Sequence, residues 1–400
     1  MTRPLFEVAD ILRGLGPSLR DGLSRDQHRA VNAILACRTA VLGGHVSACA
    51  DCGHIDVAYN SCRNRHCPKC QASAAHDWLE ARRRDLLPVP YYHVVFTLPA
   101  AIARIAFQNK REIYDALFKA TAETLMTIGA DPKHLGAKLG ATLVLHTWGS
   151  AMTHHPHIHG VVAGGGLSPD GSRWIDCRKK FFLPVRVLSR LFRRLMCERL
   201  ADLFTAGKLS FFGDLARLSD RQAFMTLLAG QRRRDWVVYA KRPFAGPDQV
   251  LSYLSRYTHR IAISNSRITA FDGKSVTFRV KDYRRNDAAR YGAMTLAGPE
   301  FARRFLSHVL PDGFHRIRHI GFLANTQRSK AVARARELLA DRVPPRKAEK
   351  ETEAPPVAKT APEPAACPCC GGRMVLAEVI ERASWKLPPS TIIPEPCDSS

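Results

Sequence analysis

A chain of 400 residues, 46% of them hydrophobic, is long enough for two or three cores, since a single core rarely grows past roughly 250 to 300 residues. Its 60 Lys+Arg against 36 Asp+Glu leave a formal net charge of +24. A polyanion is therefore the first partner to consider, with nucleic acid ahead of a membrane surface because guanidinium forks fit phosphates and no run approaches the ~18 apolar residues of a spanning helix.

Met1-Thr2-Arg3-Pro4 lacks the apolar core of a signal peptide, so a cytoplasmic chain is expected. In that reducing compartment twelve cysteines argue for metal sites over disulfides. The first helix reads over residues 24 to 37. Ser24 and Gln27 form a capping-box pattern, and Val31, Ile34 and Leu35 make an apolar stripe. Cys49-x-x-Cys52 and Cys67-x-x-Cys70 follow with fourteen residues between the pairs. That is close to a four-cysteine zinc-ribbon spacing, with Gly53 and Pro68 beside the ligands, and it predicts one structural Zn²⁺ held by Cys49, Cys52, Cys67 and Cys70. His45, Cys62 and His66 stand near enough to substitute for a ligand or build a second site. Arg63, Arg65 and Lys69 lie between the ligands, where they suit a phosphate backbone or simply a solvated loop.

From residue 91 the texture changes. Tyr91 to Leu98 is β-rich and stops at Pro99, and residues 101 to 128 carry helical periodicity. Leu139 to Trp148 reads as a strand that turns through Gly149-Ser150 toward a second strand at 155 to 163. Gly164-Gly165-Gly166 has no following Lys-Ser or Lys-Thr, so it reads as a flexible turn rather than a phosphate-gripping loop. Residues 178 to 200 hold eight Lys/Arg against one Glu around an apolar helical stripe, a basic amphipathic helix. Trp236 to Lys241 is a strand, and Gly246-Pro247-Asp248 opens a helix closing near Thr258. A hairpin turns at Asp272-Gly273, residues 299 to 310 look helical, and His315 to His319 form a basic patch. Residues 342 to 366, rich in Pro, Ala, Glu and Lys, read as a disordered linker before Cys367-Pro368-Cys369-Cys370, half of a zinc knuckle with no second pair after it.

Two stretches carry chemistry. In His155-Pro156-His157-Ile158-His159, the strand period puts His157 and His159 on one face, as two neutral-imidazole ligands for a divalent ion. Sixteen histidines make such spacing common, so the pair gains meaning only from its companions. Tyr253 and Tyr257, four apart on the expected helix, leave one face together. Tyrosines so spaced are more often packing residues than nucleophiles, yet a bound divalent ion makes a phenol competent in phosphodiester chemistry. Arg256 and Arg260 are placed to hold a DNA backbone.

At this point the sequence resembles a known family. His157-Ile158-His159 with Tyr253-x-x-x-Tyr257 is similar to the HUH single-strand nucleases in their two-tyrosine form, specifically the rolling-circle transposases of insertion sequence ninety-one. The resemblance runs over most of residues 25 to 325, including Cys62-Arg63-Asn64-Arg65-His66-Cys67-Pro68, Phe96-Thr97-Leu98-Pro99, His146-Thr147-Trp148-Gly149 and Tyr253 to Asn265. It implies a transposase that nicks and rejoins single-stranded DNA through 5′-phosphotyrosine intermediates. Tyr253 and Tyr257 are then the nucleophiles, and His157 and His159 bind Mg²⁺ or Mn²⁺. His146 is the preferred third ligand, because antiparallel pairing of its strand could bring it opposite the pair. His154, His155 or a remote carboxylate are its competitors. The expected architecture is α+β: a zinc-binding domain over 1–90, a catalytic domain over 91–340 built on an antiparallel sheet with flanking helices, a linker over 341–366 and a tail over 367–400. A plasmid replication initiator or relaxase with the same chemistry, or a non-catalytic zinc-dependent DNA-binding protein, are the alternatives.

Overall fold

The computed structural model describes residues 4–178, 182–241, 261–282, 290–340 and 366–383. Tyr253, Tyr257, Arg256 and Arg260, the helix expected over 246–258, and the expected linker up to residue 365 lie outside the described residues.

The chain opens with α1 (Val8–Gly14) and α2 (Arg25–Ala36), and continues through β1 (Gly44–Cys49), β2 (Ile55–Tyr59) and α3 (Gln71–Arg83). The expected capping box begins α2: Ser24 Oγ accepts from Gln27 N at 3.3 Å, and Gln27 Oε1 accepts from Ser24 N at 2.9 Å. Next come β3 (Tyr91–Thr97), α4 (Ala100–Gln108), α5 (Lys110–Ala130), β4 (Lys138–Trp148), β5 (His154–Leu167) and β6 (Trp174–Asp176). The helix expected over 101–128 is two, broken at Asn109. Its amide side chain accepts from Ser210 N at 2.7 Å and donates to Ser210 O at 2.8 Å and to the Ile105 carbonyl at 3.1 Å. Then follow α6 (Val185–Thr205), α7 (Arg221–Arg232), β7 (Val238–Ala240), β8 (Ile268–Phe271), β9 (Ser275–Lys281), β10 (Tyr291–Ala297), α8 (Gly298–Ser307), β11 (Ile317–Gly321), α9 (Arg328–Leu338) and β12 (Met374–Ile380).

A six-stranded antiparallel sheet in the order β11-β4-β5-β3-β7, with β6 against β5, organises the molecule. Side chains alternate across it. Val94, Phe96, Leu143, Leu145, Ile158 and Val162 point into one large core roofed by α4, α5, α6 and α7. The odd residues of β5 and β3 and the even residues of β4 take the opposite face, where Tyr91, Val161 and Ala163 pack under Phe322 and Val332 of the C-terminal part. This is the α+β arrangement expected, an antiparallel sheet with flanking helices, α4 to α7 on one face and α9 on the other.

A second core joins the N-terminal helices to residues 262–309. Val8, Ile11, Val31 and Ile34 of the first two helices meet Val276, Phe278, Phe301 and Phe305 of the β8–β9–β10 sheet and α8. The third sheet is β12-β1-β2, so residues 374–380 are a strand of the N-terminal zinc-binding region rather than a separate tail.

The Gly164–Gly166 run is not a turn. It continues β5, because side chains there have nowhere to go: a Cβ on Gly164, Gly165 or Gly166 would lie 2.5, 2.5 or 2.4 Å from the carbonyl oxygens of Pro90, Ile175 and Lys138. The patch at 315–319 also turns inward. Arg316 donates to Gln71 Oε1 at 3.0 Å, and Arg318 pairs with Asp115 and lies over the Phe118 ring. No helix among the described residues is long and apolar enough to cross a membrane.

Candidate functional site

β4 and β5 pair so that His146 stands directly opposite His157, and Val144 opposite His159. One ligand nitrogen from each of His146, His157 and His159 falls in a cluster within 4.8 Å. The His146 and His159 rings are 4.5 Å apart between centroids, and His157 and His159 are 4.8 Å apart. All three lie on the sheet face opposite the four-helix roof, since Ile158 between them faces that core. His154, of opposite parity, turns toward α5 and meets Tyr114 Oη at 2.8 Å. His155 is exposed and stays outside the cluster. The register thus brings together the two sequence-predicted ligands and the third that the strand pairing suggested.

The imidazoles are aimed from behind. His157 Nδ1 donates to the His155 carbonyl at 2.6 Å, which leaves Nε2 as the nitrogen that could ligate a metal. His159 Nδ1 meets His93 Nε2 at 2.8 Å, with the two rings stacked at 11°. His93 comes from β3, one strand farther across the sheet and on the same face. The sequence reading missed it, although a histidine in an otherwise apolar strand next to the histidine-rich one was the available signal. Burial lowers His157 from 6.5 to about 4, and burial with the nearby Lys241 and His157 does the same to His93. Both rings are therefore neutral near pH 7, the form that ligates a metal. A set of three imidazoles suits a divalent ion with open positions left for phosphate oxygens.

The undescribed stretch begins and ends beside this site. Lys241 N donates to the His93 carbonyl at 2.8 Å where the chain leaves β7. Where it resumes, Ile261 and Ala262 line a small hollow with Trp148, and Trp148 stacks on His146 at 4.7 Å. Tyr253, Tyr257, Arg256 and Arg260 belong to that stretch.

The four cysteines expected to share one zinc do not meet. Cys37, Cys62, Cys67 and Cys70 bring their sulfurs within 4.8 Å of one another, with Cys37 Sγ to Cys70 Sγ at 3.4 Å and Cys62 Sγ to Cys70 Sγ at 3.6 Å. The β1–β2 hairpin explains the regrouping. Cys37 and Cys62 flank its base, where Gly44 pairs with Tyr59, whereas Cys49 and Cys52 form its tip beyond the Ala48–Ile55 pair. Five strand steps separate base from tip, on the order of 17 Å. Cys67 and Cys70 sit at the start of α3, by the base. Of the intervening cations, Arg65 donates to the carbonyls of Leu310, Pro311 and Phe314 and Lys69 pairs with Glu7 at 2.6 Å, whereas Arg63 is exposed.

Two family models match the chain. Residues 11–98 match the transposase zinc-binding domain family, and residues 140–330 match a putative transposase family. A putative transposase, y4qJ, of Sinorhizobium fredii (strain NBRC 101917 / NGR234) is 54% identical over 391 residues, covering 95% of this chain and 97% of that protein. The transposase for insertion sequence element IS801 of Pseudomonas savastanoi pv. phaseolicola is 28% identical, covering 94% of this chain and 90% of the relative. Among solved structures, the conjugative relaxase TrwC in complex with oriT DNA, in metal-free form, aligns with 62% of this chain and 72% of its own at 16% identity. The TM-score there is 0.23, a level from which no residue correspondence follows.

Proposed function

This chain belongs to the insertion-sequence-ninety-one family of transposases with an N-terminal zinc-binding domain, and from that premise we propose that it nicks and rejoins single-stranded DNA through a tyrosine-linked intermediate. The observation that carries the reading is the convergence of His146, His157 and His159 on the sheet face opposite the α4–α7 roof. Those three side chains would hold Mg²⁺ or Mn²⁺. When bound, such an ion supplies Lewis-acid polarisation of the scissile phosphate.

The rest is work for the chain's own residues. The hydroxyl of Tyr253 or Tyr257 loses its proton and attacks phosphorus. The bond from phosphorus to the 3′ oxygen breaks, releasing a 3′-hydroxyl and leaving the 5′ end on the tyrosine oxygen. Because the phosphotyrosine keeps the energy of the broken phosphodiester, a new 3′-hydroxyl can displace the tyrosine without a nucleotide cofactor. Two tyrosines allow one to hold the first 5′ end while the other cleaves the next junction, as rolling-circle transposition requires. Arg256 and Arg260 would grip the flanking phosphates, consistent with a net charge of +24.

The test uses labelled single-stranded oligonucleotides carrying the element ends, with Mn²⁺. A protein–DNA adduct that survives denaturation is expected, absent in chelator and in the double variant Tyr253→Phe with Tyr257→Phe. An adduct that persists in that variant removes the nucleophile assignment. One that persists when His157 and His159 are both Ala removes the metal assignment.

A further inference from the structure

The tip of the β1–β2 hairpin is left with two cysteines and no partner from the zinc-binding domain. Its partners come from the other end of the chain: Cys49 Sγ is 3.4 Å from Cys370 Sγ, Cys52 Sγ is 3.6 Å from Cys367 Sγ, and all four sulfurs lie within 4.8 Å of one another. We propose that Cys49, Cys52, Cys367 and Cys370 form a second, tetrathiolate zinc site, a clasp that fastens the C-terminal segment to the tip of the zinc-domain hairpin.

The distances suit a shared ion. Zinc–sulfur bonds of about 2.3 Å in a tetrahedron put sulfurs about 3.8 Å apart, whereas a disulfide needs about 2.05 Å. Both halves are also folded as the same knuckle. Each reads Cys-x-x-Cys-Gly, with Gly53 at φ 74° and Gly371 at φ 75°, the left-handed conformation that a side chain resists. Gly53 N donates to the Cys49 carbonyl at 3.1 Å, and Gly371 N to the Cys367 carbonyl at 2.9 Å. The amides of Asp51, Cys369 and Gly372 point at Cys49, Cys367 and Cys370 sulfurs, each at 3.4 Å. Such N–H···S contacts offset the charge of a thiolate, and a neutral thiol has little need of them.

The backbone brings the halves together independently of any ion. β12 pairs with β1 from Gly44↔Ile380 to Cys49↔Met374, and Ala50 N donates to the Arg373 carbonyl at 3.0 Å. At the closest approach Gly372 has no side chain, where a Cβ would fall 2.1 Å from an Asp51 carboxylate oxygen. The remaining cysteine of the C-terminal motif, Cys369, is exposed and meets His54 Nδ1 at 3.4 Å, outside the quartet. Together with the Cys37–Cys62–Cys67–Cys70 group, the full chain would hold two zinc ions, whereas the stretch matched as a zinc-binding domain can complete only one.

Metal analysis of the full-length protein, purified with reductant and washed with a weak chelator, tests the clasp. Two zinc ions per chain are expected. Cys367→Ser with Cys370→Ser should bind one, Cys49→Ser with Cys52→Ser should also bind one, and the fourfold variant should still bind one. A C-terminal pair variant that retains two, a fourfold variant that loses a further ion, or iron in place of zinc overturns the proposal. Alkylation of the unmodified protein, read by mass spectrometry, needs no variant to fold. Cys49, Cys52, Cys367 and Cys370 should become reactive together on addition of a strong chelator, with Cys369 reactive throughout. Reaction of Cys367 and Cys370 at the Cys369 rate before chelation overturns it equally. Neither readout depends on DNA cleavage.

Discussion

His159 is held by another histidine, and the pair defines what metal affinity depends on. With His93 Nε2 at 2.8 Å from His159 Nδ1, the ring of this proposed ligand is already oriented, and outer partners of this kind are typically worth 10 to 100-fold in metal affinity. His93→Ala should therefore raise the Mn²⁺ concentration for half-maximal adduct formation by that order while leaving the rate at saturating Mn²⁺ much less affected. An unchanged metal titration curve would show that His93 only packs. A second group of histidines sets acid stability. His308, buried with Nε2 donating to the Met152 carbonyl at 2.9 Å and Nδ1 accepting from Thr147, is lowered by burial from 6.5 to about 4; His66 and His154 fall to about 3 for the same reason. A depressed histidine favours the neutral folded form, so its contribution is complete above 6.5 and is lost as pH falls toward the folded values. Unfolding free energy should drop between pH 6.5 and 4, with a shallower slope in His308→Gln. Equal slopes in denaturant titrations of the two proteins would contradict this. None of these pairings was legible in the sequence, because each joins residues far apart along the chain, whereas the His157–His159 alternation was visible from strand period alone.

Among the elements, those with local signatures came through from sequence. The capping box started α2 where Ser24 and Gln27 placed it, and the Asp272-Gly273 turn joined β8 to β9. The departures have non-local causes. Asn109 breaks a helix that periodicity ran straight through, since the partner that captures its side chain, Ser210, is unknown to the segment. The triple glycine reads as flexible from sequence, whereas the neighbouring backbones of Pro90, just before β3, of β6 and of the first residue of β4 require it. Gly165→Val should destabilise by about 1–3 kcal/mol or more, because its Cβ falls 2.5 Å from backbone that cannot yield. Gly230→Ala on α7, where nothing lies within 4 Å of the added carbon, should instead stabilise by about 0.5–1 kcal/mol. Urea unfolding of the two variants checks the contrast; similar effects would mean that backbone proximity does not decide the cost.

At the scale of the whole molecule, the zinc-binding region is part of the second core, built on the β8–β10 sheet and α8. Cys37, Cys67 and Cys70 are buried in the same cluster as Phe278 and Phe301, 200 residues or more later in the chain. Stripping the metal should then loosen α1, α2 and the β8–β10 sheet together while β3, β4 and β5 stay protected. Hydrogen exchange that spreads no farther than residues 37–70 after chelation would refute that coupling. The sequence by itself determined the basic charge, the α+β class, the strands that carry the histidines and the kinship on which the tyrosine chemistry is proposed, since composition, periodicity and short motifs are properties of neighbours in the chain. Only the tertiary structure decided which cysteines lie together, which histidine stands with His157 and His159 on one face, and which one meets His159 from the next strand. Those choices depend on a strand register and on a hairpin whose base and tip are a full strand length apart, and spacing along the sequence does not encode which end a distant ligand will reach.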